Sequence, residues 1–198
     1  MEYAEMVELA ERFGLRCSAA QNYTLADDYA FLPHLAQGEN RYAFNILSGS
    51  CRQSEVLVFD YHYETPATDP NSEDLRSHFI LTPILVLVPA YFPELRITPQ
   101  GTLSKIAEAL GDEDIHFESA EFARAFSVRS KDKRLAYDVC NARVIEYLLD
   151  NRDLDLLIKN CTLALVSGTP LSAQQVGYNL ERLLEFRLRL PDYLFTKD

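Results

Sequence analysis

Three residues in one short stretch have the types and the spacing for chemistry: Asp60, His62 and Glu64, within the run Glu55–Glu64 (EVLVFDYHYE). In an extended strand successive side chains alternate between faces, so positions i, i+2 and i+4 project the same way. A carboxylate beside an imidazole on such a face can fix the histidine tautomer and raise its basicity. That suits a general acid/base pair, and the same atoms can hold a divalent metal. Asp60, His62 and Glu64 are therefore the candidate catalytic residues, and Asp60 and His62 the candidate metal ligands. The plainer reading is an outer strand face solvated at its polar end. It is the commoner arrangement, because a metal site needs three or more convergent ligands and one strand brings at most two into close reach. On that reading the chain takes no metal and no cofactor.

The remaining chemistry-bearing residues are scattered. His34, His78 and His116 fall at the edges of segments, where surface or capping roles are expected. Cys51, next to Arg52, is the best placed of the four cysteines for reactivity, since a guanidinium lowers thiol pKa, but no histidine stands at a spacing that would activate it. With no C-x-x-C pair, Cys17, Cys51, Cys140 and Cys161 read as reduced, mostly buried thiols of a reducing compartment. Tyr61, Tyr63, Tyr91 and Phe92 gather near the expected sheet, where rings usually fill a core, although they also allow an apolar pocket for a small ligand. Arg187 falls inside the apolar arc of the last expected helix, so it either snorkels outward or pairs with a carboxylate such as Asp60.

Several function classes are excluded by pattern. The sequence has no phosphate-binding glycine loop, dinucleotide-binding glycine motif, nucleophile elbow or His-Glu-x-x-His zinc motif, and its 7 glycines stand singly. A formal charge of −11 repels phosphate backbones and anionic lipid surfaces, which argues against nucleic acid and against an electrostatic membrane role. The longest apolar run, Phe79–Phe92, is interrupted by prolines and is too short to span a bilayer. With no basic-then-apolar leader at its start, the chain is expected to be soluble and cytoplasmic.

The elements that must carry these residues can be read from periodicity. Arg41–Leu47, Glu55–Glu64 and His78–Val88 read as three strands, with a turn at Ser48-Gly49-Ser50 and a mobile hairpin loop over Thr65–Ser77. Within the third strand Ile84–Val88 is apolar on both faces, as a covered central strand should be, and Pro83 calls for a bulge or bend. Glu94–Thr98, Ile115–Glu118, Phe126–Arg129 and Leu154–Ser167 read as further strands. Helices are expected over Glu2–Phe13, closed by Gly14, and over Thr102–Leu110 and Asp138–Leu149, the last mostly buried. Short helical turns are expected at Asp27–Leu32 and Ser119–Ala125, and a final helix begins at Ser172 with Gln175 completing a capping box.

Helices and strands do not alternate in βαβ fashion, which indicates a single α+β domain over residues 1–198: a mainly antiparallel sheet, with a meander over 41–88 and later strands, and helices at the N-terminus, middle and C-terminus. A pleckstrin-homology-like barrel closed by a C-terminal helix is the alternative. The segments Phe31-Leu32-Pro33, Asn45-Ile46-Leu47-Ser48-Gly49, Phe59-Asp60-Tyr61-His62-Tyr63 and Asp114–Ser119, with Gly38, Arg41, Phe122 and Phe126-Ser127-Val128, resemble a family of bacterial domains with no assigned activity. The resemblance extends from about Leu9 to Leu194 and implies a fold unit and no function. The function expected is a non-catalytic module that binds a protein partner or a second copy of itself. An enzyme using Asp60, His62 and Glu64, or a carrier with an aromatic pocket, stands as the alternative.

Overall fold

The structure, a computed structural model, describes residues 2–67, 75–101 and 114–196. The expected helix Thr102–Leu110 lies outside the described residues. Helix α1 (Tyr3–Phe13) buries Met6, Leu9, Ala10 and Phe13 and ends where Gly14 adopts left-handed backbone (φ 67°). There follow β1 (Arg16–Ser18), two single turns at Asp27–Tyr29 and Pro33–Ala36, β2 (Glu39–Cys51), β3 (Ser54–Pro66) and β4 (Arg76–Pro99). Helix α2 (Ala120–Ala125), β5 (Phe126–Ser130), α3 (Lys133–Val139), α4 (Ala142–Asp150), β6 (Leu156–Ser167) and α5 (Ala173–Arg189) complete the chain.

The six strands form one antiparallel sheet in the order β1-β2-β3-β4-β5, with β6 also paired to β4. The fold is thus α+β, and among the described residues the strand path does not close into the alternative barrel. The chain divides into two compact units. One comprises residues 1–85 and 166–180, the other 86–165 and 181–198.

In the first unit β2 and β3 are joined by a two-residue turn, with Cys51 paired to Ser54 and both Arg52 (φ 48°) and Gln53 (φ 62°) in left-handed backbone. Such turns match the twist of the flanking strands. The turn expected at Ser48-Gly49-Ser50 is instead ladder, Ser48 to Ser50 pairing with Leu57 to Glu55. Gly177 lies in the N-terminal half of α5, where glycine costs helix stability. A Cβ there would come within 3.1 Å of both Leu9 and Arg12 of α1, so the glycine admits close packing of the two helices. Ser172 and Gln175 form the expected capping box, Gln175 N–H donating to Ser172 Oγ (3.3 Å) and Ser172 N–H to Gln175 Oε1 (2.9 Å).

Strand β4 runs unbroken through Pro83, Pro89 and Pro93, so Glu94–Thr98 is its continuation rather than a separate strand. Ile84, Leu85, Val86 and Val88 are all buried, as their two-sided apolar pattern requires. In the second unit Ile115–Glu118 is not a strand: Asp114 makes a single bridge to Arg129, and Ile115 N–H donates to the Val128 carbonyl. The long helix expected from Asp138 is two helices. Asn141 interrupts it as an N-cap, its side chain accepting from Arg143 N and Val144 N, and only Val144 and Leu148 of α4 are fully buried. All four cysteines are free. Cys140 alone is buried and its thiol is pushed up by burial, whereas Cys161 is exposed, so the thiols are not mostly buried.

Candidate functional site

The site is built by irregularities in β2. Glu39 pairs with Glu64 and Tyr42 with His62, so β2 spends one residue more than β3 over that interval, and Asn40 sits in the resulting bulge with φ 48°. Asparagine is among the few side chains that tolerate left-handed backbone. A bulge bends the strand and re-aims its groups. Here it turns both polar ends of Asn40 onto β3. The Asn40 carbonyl accepts from His62 Nδ1 (3.3 Å), and Asn40 Nδ2 donates to Glu64 Oε2 (2.7 Å). Gly38 (φ 71°) lets the chain enter the bulge, because a Cβ there would lie 2.5 Å from the Glu64 carbonyl oxygen.

Strand β4 supplies the third group. His62 Nε2 is 3.2 Å from His78 Nδ1, and His78 Nδ1 is 3.5 Å from Glu64 Oε1. The three ligand atoms lie within 4.8 Å of one another. Burial is graded: His62 is 7% exposed, whereas the side chains of Glu64 and His78 are 13% and 57% exposed. A carbonyl oxygen can only accept, so His62 carries its proton on Nδ1 and presents a bare Nε2. The neutral arrangement is then a chain in which His78 Nδ1–H donates to His62 Nε2. Tyr42 stacks on the His62 ring (4.6 Å between centroids, 26° between planes), holding its orientation from the β2 side. Arg76 donates to Glu39 (2.9 Å) and lies 3.6 Å from Glu64 Oε2, the oxygen turned away from His78.

This geometry fits a metal. Ligand bonds of about 2.0–2.2 Å in a tetrahedron place neighbouring ligand atoms about 3.3–3.6 Å apart. The 3.5 Å between His78 and Glu64 falls within that spacing, the 3.2 Å between the two imidazoles just below it, and all three atoms lie within 4.8 Å of one another. Metal-bound histidines donate their second N–H to a carbonyl or carboxylate, and ligating carboxylates are themselves hydrogen-bonded. Asn40 does both. Two imidazoles and one carboxylate suit zinc and its divalent first-row neighbours better than calcium or magnesium, which take oxygen.

Asp60 is placed elsewhere. It shares the strand face of His62 but is 1% exposed, accepting from Asn45 Nδ2 at Oδ2 (2.8 Å) and from Thr82 Oγ1 at Oδ1 (2.7 Å). Thr82 Oγ1 in turn accepts from Leu171 N–H (3.0 Å). The structure therefore brings together His62 and Glu64, leaves Asp60 in the interior, and adds His78, for which a surface or capping role was expected. The sequence did hold a signal for His78: with Glu64 it flanks the loop Thr65–Ser77, and the arms of a hairpin meet at its base. Tyr61 and Tyr63 stack in a row with Phe79 on β3 and β4, while Tyr91 and Phe92 line a groove with Tyr193 and Leu194.

No family model matches this chain, and no curated protein matches it. One solved structure does. The crystal structure of the mycobacterial trehalose monomycolate transport factor A aligns with a TM-score of 0.60, covering 95% of each chain at 15% sequence identity. At that identity the likeness is one of fold alone. Among the described residues no helix is long and apolar enough to cross a membrane.

Two arginines outside this site also have defined places. Arg187 is half-buried, and its guanidinium lies over the Phe195 ring, 3.6 Å from the centroid. Arg182, which periodicity did not single out, is 6% exposed and forks onto Asp153, with its Nε on Asn151 Oδ1 (3.1 Å).

Proposed function

We propose that this chain is a non-catalytic binding module whose working end is the bulged end of the β2–β3–β4 strands, where His62, Glu64 and His78 hold a divalent transition-metal ion that a protein partner then contacts. The observation that carries the reading is the convergence of His62 Nε2, His78 Nδ1 and Glu64 Oε1 within 4.8 Å of one another, with Asn40 orienting two of the three residues. Three protein ligands leave a fourth position, and the exposed side of His78 is where an incoming donor has room. Apolar side chains flank that histidine: Leu75 is 87% exposed, Phe79 42% and Ile80 36%. Such residues suit a protein contact at the rim of the metal.

Calorimetric titration of the full chain with zinc at neutral pH, paired with melting curves, tests the metal. One equivalent should bind and raise the melting temperature, since a ligand that binds only the folded state stabilises it. Absence of a saturable equivalent sinks the reading. The partner is tested separately, by affinity capture with and without zinc, in which partners retained only by the metal-loaded chain support it. Carriage of a small ligand is the second reading, favoured by the name of the structural neighbour as a transport factor. Native mass spectrometry of the purified chain would show a co-purifying small molecule in that case.

A further inference from the structure

The first residues of β4 carry the metal site outward. Alternation puts Arg76, His78 and Ile80 on one face of the strand, and all three are exposed. Arg76 is the cation of this strip. Its Nη1 donates to Glu39 Oε2 (2.9 Å) and lies 3.6 Å from Glu64 Oε2. Glu39 and Glu64 are themselves paired across the β2–β3 ladder, so one guanidinium serves two opposed carboxylates. Like charges directly opposite destabilise a sheet, which gives Arg76 a structural task in the metal-free chain. That task uses one nitrogen. Among the described residues Arg76 Nε and Nη2 donate no hydrogen bond, and the side chain is 43% exposed.

The charge of this corner depends on the metal. Without one, Glu39 and Glu64 against Arg76 leave a single negative charge, counting the histidines as neutral. A divalent ion held by His62, Glu64 and His78 turns it into a single positive charge. One carboxylate then neutralises the corner, whereas an imidazole leaves its charge standing and a phosphate dianion overshoots it. Carboxylate oxygen ligates zinc, and a guanidinium fork matches the second oxygen of the same group. Ile80 adds an apolar contact two residues along the strand. A formal charge of −11 repels a broadly acidic partner, so the chemistry that fits is one acidic residue among apolar neighbours.

We propose that the strip formed by Arg76, His78 and Ile80 docks a partner segment bearing one aspartate or glutamate among apolar side chains, whose carboxylate takes the metal's fourth position with its second oxygen on Arg76. This rests on the metal reading given above and names the donor that completes it. Metal loading acts as a switch of sign: the unloaded corner repels the carboxylate that the loaded corner accepts.

The test uses cobalt(II) in place of zinc, because its visible absorption reports its ligands. The cobalt-loaded full chain is titrated with the end-blocked tripeptide Leu-Glu-Leu, with the glutamine, histidine and phosphoserine counterparts as parallel arms. The glutamate peptide should change the absorption saturably and bind tightest, and the glutamine peptide should leave it unchanged. Arg76→Gln should weaken the glutamate peptide at least about tenfold without weakening cobalt, and Arg76→Lys, which keeps the charge, should restore part of the loss. An absorption that the glutamate peptide leaves unmoved, tighter binding of the histidine or phosphoserine peptide, or equal binding by Arg76→Gln would overturn the proposal while the metal reading stands. Equal binding of the glutamate peptide to the metal-free chain, followed by amide NMR, would overturn it as well. Cobalt that never binds removes the metal reading and this proposal together.

Discussion

Strand β2 carries two bulges, each centred on an asparagine in left-handed backbone and each aimed at an acidic side chain of β3. At Asn45 (φ 50°) the target is Asp60. At Asn40 (φ 48°) it is Glu64, together with the His62 ring. The local devices are alike and the outcomes differ because depth differs. Asp60 is sealed and accepts from the Thr82 hydroxyl as well as from Asn45, so the carboxylate is spent on structure. Two and four residues further along β3, His62 and Glu64 meet a partly exposed histidine from β4, and their acceptor atoms converge with one side open to solvent. A bulge supplies orientation. Whether the oriented group is structural or available depends on what closes over it.

The comparison can be broken by substitution. Asp60→Ala should have the largest effect, costing about 2–4 kcal/mol in denaturant unfolding because it strands the Asn45 and Thr82 donors in the interior. It should leave zinc affinity unchanged. His78→Ala should do the reverse: zinc affinity falling by about a hundredfold or more in calorimetry, with metal-free stability within about 0.5 kcal/mol of the parent, because the side chain is largely exposed. Equal losses of stability from the two variants would erase the distinction between the bulges.

Asn40→Gly isolates the bulge itself. Glycine keeps the left-handed backbone without strain while removing the amide that orients Glu64, so zinc affinity should drop about 10–100-fold with the His62 contact retained. The smallest effect concerns pH. Zinc should weaken as pH falls, because protons compete with the metal for its ligands. Over the same range the rest of the fold should hold. Hydrogen bonding from Arg182 keeps the Asp153 carboxyl below its usual range despite some burial, so its contribution is present above the ordinary carboxylate pKa and is lost only as pH falls through the lowered value. Loss of zinc on acidification without a change in circular dichroism would separate release of the metal from unfolding.

Much of the architecture was legible in the sequence because strict alternation leaves few choices. Leu57, Phe59 and Tyr61 are all buried, and the polar turn of the other face at Asp60, His62 and Glu64 marked where function should be sought. Alternation gives the face and not the depth, so it grouped Asp60 with His62. Separating them requires the β2 register, and register depends on bulges that asparagine in left-handed backbone permits but does not announce. His78 was hidden for a related reason. It comes from another strand, so it joins the set only when Glu64 and His78 are read as the two arms at the base of one hairpin rather than by a spacing along one strand. Glu94–Thr98 was read as a separate strand but is the far end of β4, where prolines lacking a ladder donor still fit a strand when their neighbours carry the pairing.

The most direct measurement is imidazole NMR of the full chain during zinc titration. The account predicts that both His62 and His78 shift together and saturate at one equivalent, with His62 coordinating through Nε2 and His78 through Nδ1, while His34 and His116 stay unmoved. Zinc shifting His78 alone, or all four histidines without saturation, would contradict it and return the cluster to a hydrogen-bonded strand end.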